Sequence, residues 1–267
     1  MSFDLYVARS SWLHTLDPRV KLLFVVLSTV LLLTLTNLYL FLAILALYHL
    51  IIFSAGIPVS RVRWAWRVIL PPTILIPLLW PLFYQEGGPV LLHWGPFRVS
   101  AMSWWEGVAM AARLDALAFA FFTWLFSTDQ TSLVRGFVRL GLPFEWGLML
   151  TIALRYVPTF YGAFVTISEA QAARGLVIPR RNLVKRIRAY LPILVAMIIS
   201  ALRTSDKLAT AMESRALGLQ GVKRTCLRDI RFRPTDYIYT TLLVAVFSVL
   251  FILRFQFSFG THLLRLF

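Results

Sequence analysis

The sequence predicts an all-α polytopic membrane protein, with about five transmembrane helices plus long cytoplasmic helices that cross each other. Three observations lead there. Of 267 residues, 59% are hydrophobic and only 15% charged, and the mean hydropathy of +0.74 exceeds what soluble domains of this length usually reach. Apolar runs recur at lengths that, as tilted helices, cross roughly 30 Å of hydrocarbon. The net charge of +15 is gathered into a few segments. In such a chain it reports which segments stay in the cytoplasm and argues against a nucleic-acid partner.

Asp4 and Asp17 precede the first apolar run and no small-residue cleavage site follows, so no signal peptide is expected. Runs at 21–36, 38–54, 68–84, 104–127 and 236–255 are the candidate spans. The first begins at "DPRVK", with Asp17 as N-cap and Pro18 in the first turn. Only Asn37 and its neighbours separate the first two, which predicts a tight helical hairpin. Pro71, Pro72, Pro77 and Pro81 crowd the third, which predicts a kinked or broken helix. "YQEGGPVLLHWGPFRVS" then reads as an external loop with turn chemistry, resting in the interface through Trp94 and Trp104.

Basic residues orient the chain. Arg9, Arg19 and Lys21 flank the start of span one, and Arg61, Arg63 and Arg67 separate spans two and three. From Arg174 to Arg233 there are fourteen Lys/Arg against three acids. All fall on one side if the N-terminus is cytoplasmic, which puts the C-terminus outside. The expected organisation is a four-span bundle over 1–128, a cytoplasmic region over 129–233, and a last helix with its tail over 234–267. Cys226, among basic residues, reads as a cytosolic thiol.

The cytoplasmic region is not a polar loop. Residues 132–143 read as a short amphipathic helix ended by Gly141 and Pro143. Residues 145–174 form a long apolar run interrupted by Arg155, which either pairs with a carboxylate such as Glu145 or Glu169 or snorkels to water. Residues 187–217 form a second long helix with an apolar stripe through Leu191, Val195, Ile198 and Leu202. Each carries a rail of small residues: Gly162, Thr166 and Ala170 in one, Ala201, Ser205 and Ala209 in the other. Small side chains one turn apart allow close approach, so the rails predict where the two helices cross.

Each long helix ends on an exposed-looking arginine, Ala173-Arg174-Gly175 in the first and Ser214-Arg215-Ala216 in the second, with Gly218 soon after. A single arginine beside a glycine is ordinarily just a helix end, favoured by the terminal carbonyls. Two such ends with small neighbours make slim tips, and guanidinium suits an acidic groove on a partner because it pairs bidentately with carboxylate.

These residues resemble the transmembrane T component of energy-coupling factor (ECF) transporters, the EcfT and CbiQ family. That family is marked by two Ala-Arg-Gly-type motifs at the ends of long coupling helices. The first matches as Ala173-Arg174-Gly175; the second, Ser214-Arg215-Ala216, departs at both flanks and keeps the arginine. "LHTLDPRVKLL" (13–23), "ALRYVPTFYGAF" (153–164) and "YLPILVAMIISALRTSDKLATAMESRALG" (190–218) extend the resemblance along the chain. It implies a cell-membrane scaffold that binds two ABC-type ATPase subunits through the arginine tips. One small substrate-binding S component would lie on the apolar helix faces, for uptake of a vitamin or metal ion.

Two other readings fit parts of the sequence. Glu169-Ala170 with Gly175 partly imitates the coupling loop of a conventional ABC importer permease, but two arginine tips in one chain favour the T component. An intramembrane enzyme acting on a lipid phosphate could use His14 and Asp17. However, His14, His49, His93 and His262 are dispersed, and neither a His-Glu-x-x-His nor an ATP-binding glycine-loop motif occurs. The expectation is a non-catalytic chain needing no cofactor or metal.

Overall fold

A computed structural model describes residues 6, 7, 9, 11–84, 90–94, 97–179, 182–217 and 232–256. The elements are α1 (Trp12–Thr15), α2 (Pro18–Thr34), α3 (Leu38–Ser54), α4 (Val59–Phe83), β1 (Val90–Trp94), β2 (Phe97–Ser100), α5 (Ala101–Ser127), α6 (Gln130–Arg139), α7 (Phe144–Ala173), α8 (Leu183–Glu213) and α9 (Pro234–Gln256). Two compact units result: Met1–Gly141 with Ile230–Phe267, and Leu142–Asp229.

In the first unit α5 is the hub, packed against α2, α3 and α4, while α9 lies on α2. The core joins Leu31, Phe41, Ile52, Ala65, Ala116 and Phe119. Asp17 caps α2, its side chain accepting from the Arg19 N–H at 2.9 Å with Pro18 in the first turn. Asn37 caps α3 by accepting from the Leu40 N–H. The tight α2–α3 hairpin therefore has a residue-level cause.

Three expectations change. The proline-rich third span is neither broken nor confined to 68–84: α4 runs unbroken from Val59, with all four prolines inside it. Arg61, Arg63 and Arg67 stand on this helix instead of in a loop. A proline removes the bond to the carbonyl four residues back, but packing along α5 holds the helix together. Gly107 is the closest point, since a Cβ there would lie 2.9 Å from Pro77 Cα and Trp80 Cβ. The exit segment is a β-hairpin, with Trp94 opposite Phe97 and His93 opposite Arg98.

The third change concerns which helices are long enough. Among the described residues five are long and apolar enough to cross a membrane: α4, α5, α7, α8 and α9. Helices α7 and α8 qualify by length and composition, because one or two charges do not outweigh an otherwise apolar window. Helices α2 and α3 have 17 residues each, about 25 Å at 1.5 Å per residue.

Buried polar contacts tie α2 to its neighbours at both ends. Asp236, in the first turn of α9 and 2% exposed, accepts from the Asp17 N–H at 3.1 Å and from the Arg233 N–H at 2.8 Å. Lys21, buried between them, donates to the Ser127 carbonyl at 2.7 Å. At the other end Arg254 Nε donates to the Thr34 carbonyl at 2.8 Å. Arg113 donates to the Leu35 carbonyl and lies over the Phe41 ring. Deeper in the bundle Thr73 donates to the buried Asp115 at 2.6 Å, and Trp66 donates to His49 Nε2 at 2.9 Å. His14 bonds Ser11 at 2.7 Å; burial and the Lys21 charge hold its imidazole below its ordinary pKa.

Removing the Asp236 carboxylate strands two backbone donors and the Lys21 charge. Asp236→Ala should cost about 3 kcal/mol, read as a lower thermal unfolding midpoint in detergent, with Asp236→Asn milder. An unchanged midpoint would remove the anchor's importance. Gly107→Ala should also lower the midpoint, by the equivalent of about 1–3 kcal/mol for overpacking. Gly162→Ala should not, because a Cβ at Gly162 meets nothing within 4 Å.

Candidate functional site: two arginine-capped helix ends

Helices α7 and α8 pack on one another within the second unit. The half-buried or buried positions of α8 run Tyr190, Ile193, Met197, Ser200, Thr204 and Leu208; those of α7 run Leu148, Ile152, Tyr156, Phe160, Phe164 and Ile167. Both follow the three- and four-residue spacing of a packed helix face. The stripe read from the sequence, Leu191, Val195, Ile198 and Leu202, lies on exposed positions instead, each more than half exposed. The α8 helix is thus apolar on more than the face it packs.

Of the small-residue rails, Gly162, Thr166, Ala170, Ser205 and Ala209 are exposed and Ala201 is half-buried. Arg155 stands at an exposed position of α7.

The two arginine ends share one backbone motif. At the end of α7 the Gly175 N–H donates to the Ala172 carbonyl at 3.0 Å and the Leu176 N–H to the Gln171 carbonyl at 3.0 Å. At the end of α8 the Ala216 N–H donates to the Glu213 carbonyl at 2.9 Å and the Leu217 N–H to the Met212 carbonyl at 3.0 Å. This crossed pair of bonds is the Schellman stop, in which the residue after the cap turns left-handed. Gly175 has φ +88 and Ala216 φ +60. Arg174 and Arg215 therefore occupy the same cap position, and both are exposed.

The tripeptides Ala-Arg-Gly and Ser-Arg-Ala differ at both flanks, yet in each the second residue after the arginine, Leu176 or Leu217, closes the motif with its backbone N–H. The glycine expected to help stop α8, Gly218, lies outside the described residues, as does Cys226; Ala216 takes the turn itself. The Asp236 bond to the Arg233 N–H follows a legible capping signal, an acid in the third position of a helix, whereas its contact with the Asp17 N–H does not.

Fold and site together define a multi-pass, helical membrane protein carrying two long helices with matched arginine caps. Residues 9–224 match the family described as cobalt transport protein, CbiQ. The energy-coupling factor transporter transmembrane protein EcfT of Staphylococcus aureus is 30% identical, the alignment covering 94% of this chain and 96% of that one. Its counterparts in Listeria innocua and Acidaminococcus fermentans are 31% and 33% identical, each covering 93% of this chain and 96% and 95% of theirs. The chain belongs to the EcfT/CbiQ family, the transmembrane components of energy-coupling factor transporters.

A left-handed alanine costs about 1 kcal/mol relative to glycine. Ala216→Gly should therefore slow hydrogen exchange in the last turn of α8 by roughly fivefold, and Gly175→Ala should speed it in α7 to a similar degree. No change at either end would mean that the two stops do not share this conformation.

Proposed function

We propose that this chain is the membrane scaffold of an energy-coupling factor importer, in which two ABC-type ATPase subunits dock on the Arg174 and Arg215 ends. The observation that carries the reading is the matched cap geometry. Two ends of different sequence present a guanidinium from the same backbone position, as two copies of one acidic groove would require. Arginine pairs bidentately with carboxylate, and Ala173, Gly175, Ser214 and Ala216 keep the tips slim.

One small membrane S component lies on the exposed apolar faces of α7 and α8, where Trp146, Met149, Leu191, Val195 and Leu202 need cover. Rotation or sliding of these helices by the ATPases moves that component and releases a vitamin or metal ion. The rails at Gly162, Thr166, Ala170, Ala201, Ser205 and Ala209 are the surfaces on which a helix can approach most closely during this motion. In this reading the N-terminus and the 129–233 coupling region face the cytoplasm. The chain itself performs no chemistry and needs no cofactor.

The test is co-purification from native membranes with the chain tagged. Two nucleotide-binding subunits and a small polytopic protein should accompany it. The double variant Arg174→Glu/Arg215→Glu should lose the ATPases while inserting normally, and single variants should lose them only in part. Full retention by the double variant would rule out docking through the arginines.

A further inference from the structure

The bundle of the first unit is not filled. Between α2, α3, α5 and α9 lies a cavity of about 300 Å³. Its deeper walls are apolar, formed by Phe24, Leu47, Leu243, Val246 and Phe247. Lys21, Thr123, Trp124 and Ser127 line one end, the N-terminal end of α2, with carbon atoms and not with their polar groups; the Lys21 ammonium is turned to the Ser127 carbonyl. Trp12 and Tyr239, stacked with ring centroids 5.7 Å apart, border that same end.

On the other side, Leu47, Leu242 and Val246 are each about half exposed (51%, 58% and 48%), so the cavity opens sideways onto the surface that faces hydrocarbon.

We propose that this cavity holds one acyl chain of a membrane glycerophospholipid, with its ester end beside the Trp12–Tyr239 pair. Three points favour a lipid over other occupants. Trp and Tyr concentrate at the membrane–water interface, the depth at which lipid ester groups lie, so the aromatic end of the cavity matches the polar end of a lipid. A partner helix, about 10 Å across with its side chains, exceeds a space of this volume. Water finds almost no polar neighbour in the lining and would not fill it. A single hydrocarbon chain entering sideways does fill it, restoring the dispersion contacts that an empty cavity forfeits.

The experiment uses the full chain in phosphatidylglycerol vesicles containing a trace of phosphatidylglycerol with a photoactivatable diazirine at mid-chain. Adducts should concentrate on the α9 segment around Leu243–Phe247, and native mass spectrometry after detergent exchange should find one retained lipid per chain. Val246→Trp, which fills the space, should cut those adducts about tenfold, whereas Val249→Trp, exposed but outside the cavity, should not. Leu243→Phe provides a smaller filling variant if the tryptophan disturbs folding. Adducts spread evenly over the exposed helices and unaffected by filling would mean annular lipid alone and would overturn the proposal. So would a cavity occupied by a cross-linked protein segment in the assembled transporter.

Discussion

The first unit depends on how the two ends of α2 are held. A helix of 17 residues leaves unpaired N–H groups at its start and carbonyls at its end, with partial charges to match. Both ends are packed against neighbouring helices, so side chains supply the partners that water would otherwise give. Here the start receives the Asp17 cap and lies against the Asp236 carboxylate, while the end gives its Thr34 carbonyl to Arg254 and the adjoining Leu35 carbonyl to Arg113. Acid at the N-terminus and arginine at the C-terminus is the arrangement the dipole favours. Asp236 and Arg254 sit on one neighbouring helix, 18 residues apart, or about 27 Å. That matches the span from Asp17 to Thr34, so α9 can run only parallel to α2 and only in this register. A helix reached after the whole second unit is thereby fixed against the first one in the chain.

The same interaction explains a charge that topology alone does not. An arginine near the end of the last span sits awkwardly if basic residues simply mark the cytoplasmic side. Arg254 is instead a cap, spent on a carbonyl of α2. The second unit is built differently. In α7 only Gly147 is buried and in α8 only Ile193, so most of its apolar side chains gain little from intrachain packing. Such helices take their burial from lipid or from other chains, which suits elements meant to change neighbours, whereas α5 and α2 are enclosed on several sides.

Much of this was legible in the sequence, for identifiable reasons. Helix positions followed from apolar run length, and the start of α2 from Asp17, since caps are local chemistry. What was hidden depended on tertiary partners. Proline counts suggested a break in α4, but whether a proline-rich helix breaks depends on what packs against it, here α5 with Gly107. The stripe through Leu191 and Leu202 satisfied helical periodicity, yet α8 is apolar on two faces, and periodicity cannot say which meets protein. The Asp236–Asp17 contact joins residues 219 positions apart, beyond the reach of any local pattern.

The arginine ends show how one geometry arises from two sequences. The tripeptides differ on both sides of the arginine, yet each helix closes with the same crossed hydrogen bonds. The backbone requirement falls on the residue after the arginine, which must turn left-handed. Glycine meets it without strain; Ala216 meets it at a cost of about 1 kcal/mol set against two closing bonds. Because those bonds fix the backbone at the cap, each guanidinium starts from a defined direction with less freedom left to lose on pairing. Its own helix supplies only partial negative charge nearby. In the proposed assembly a full carboxylate from a partner would outcompete that field, so the same residue would finish the helix in the free chain and dock it in the assembled one.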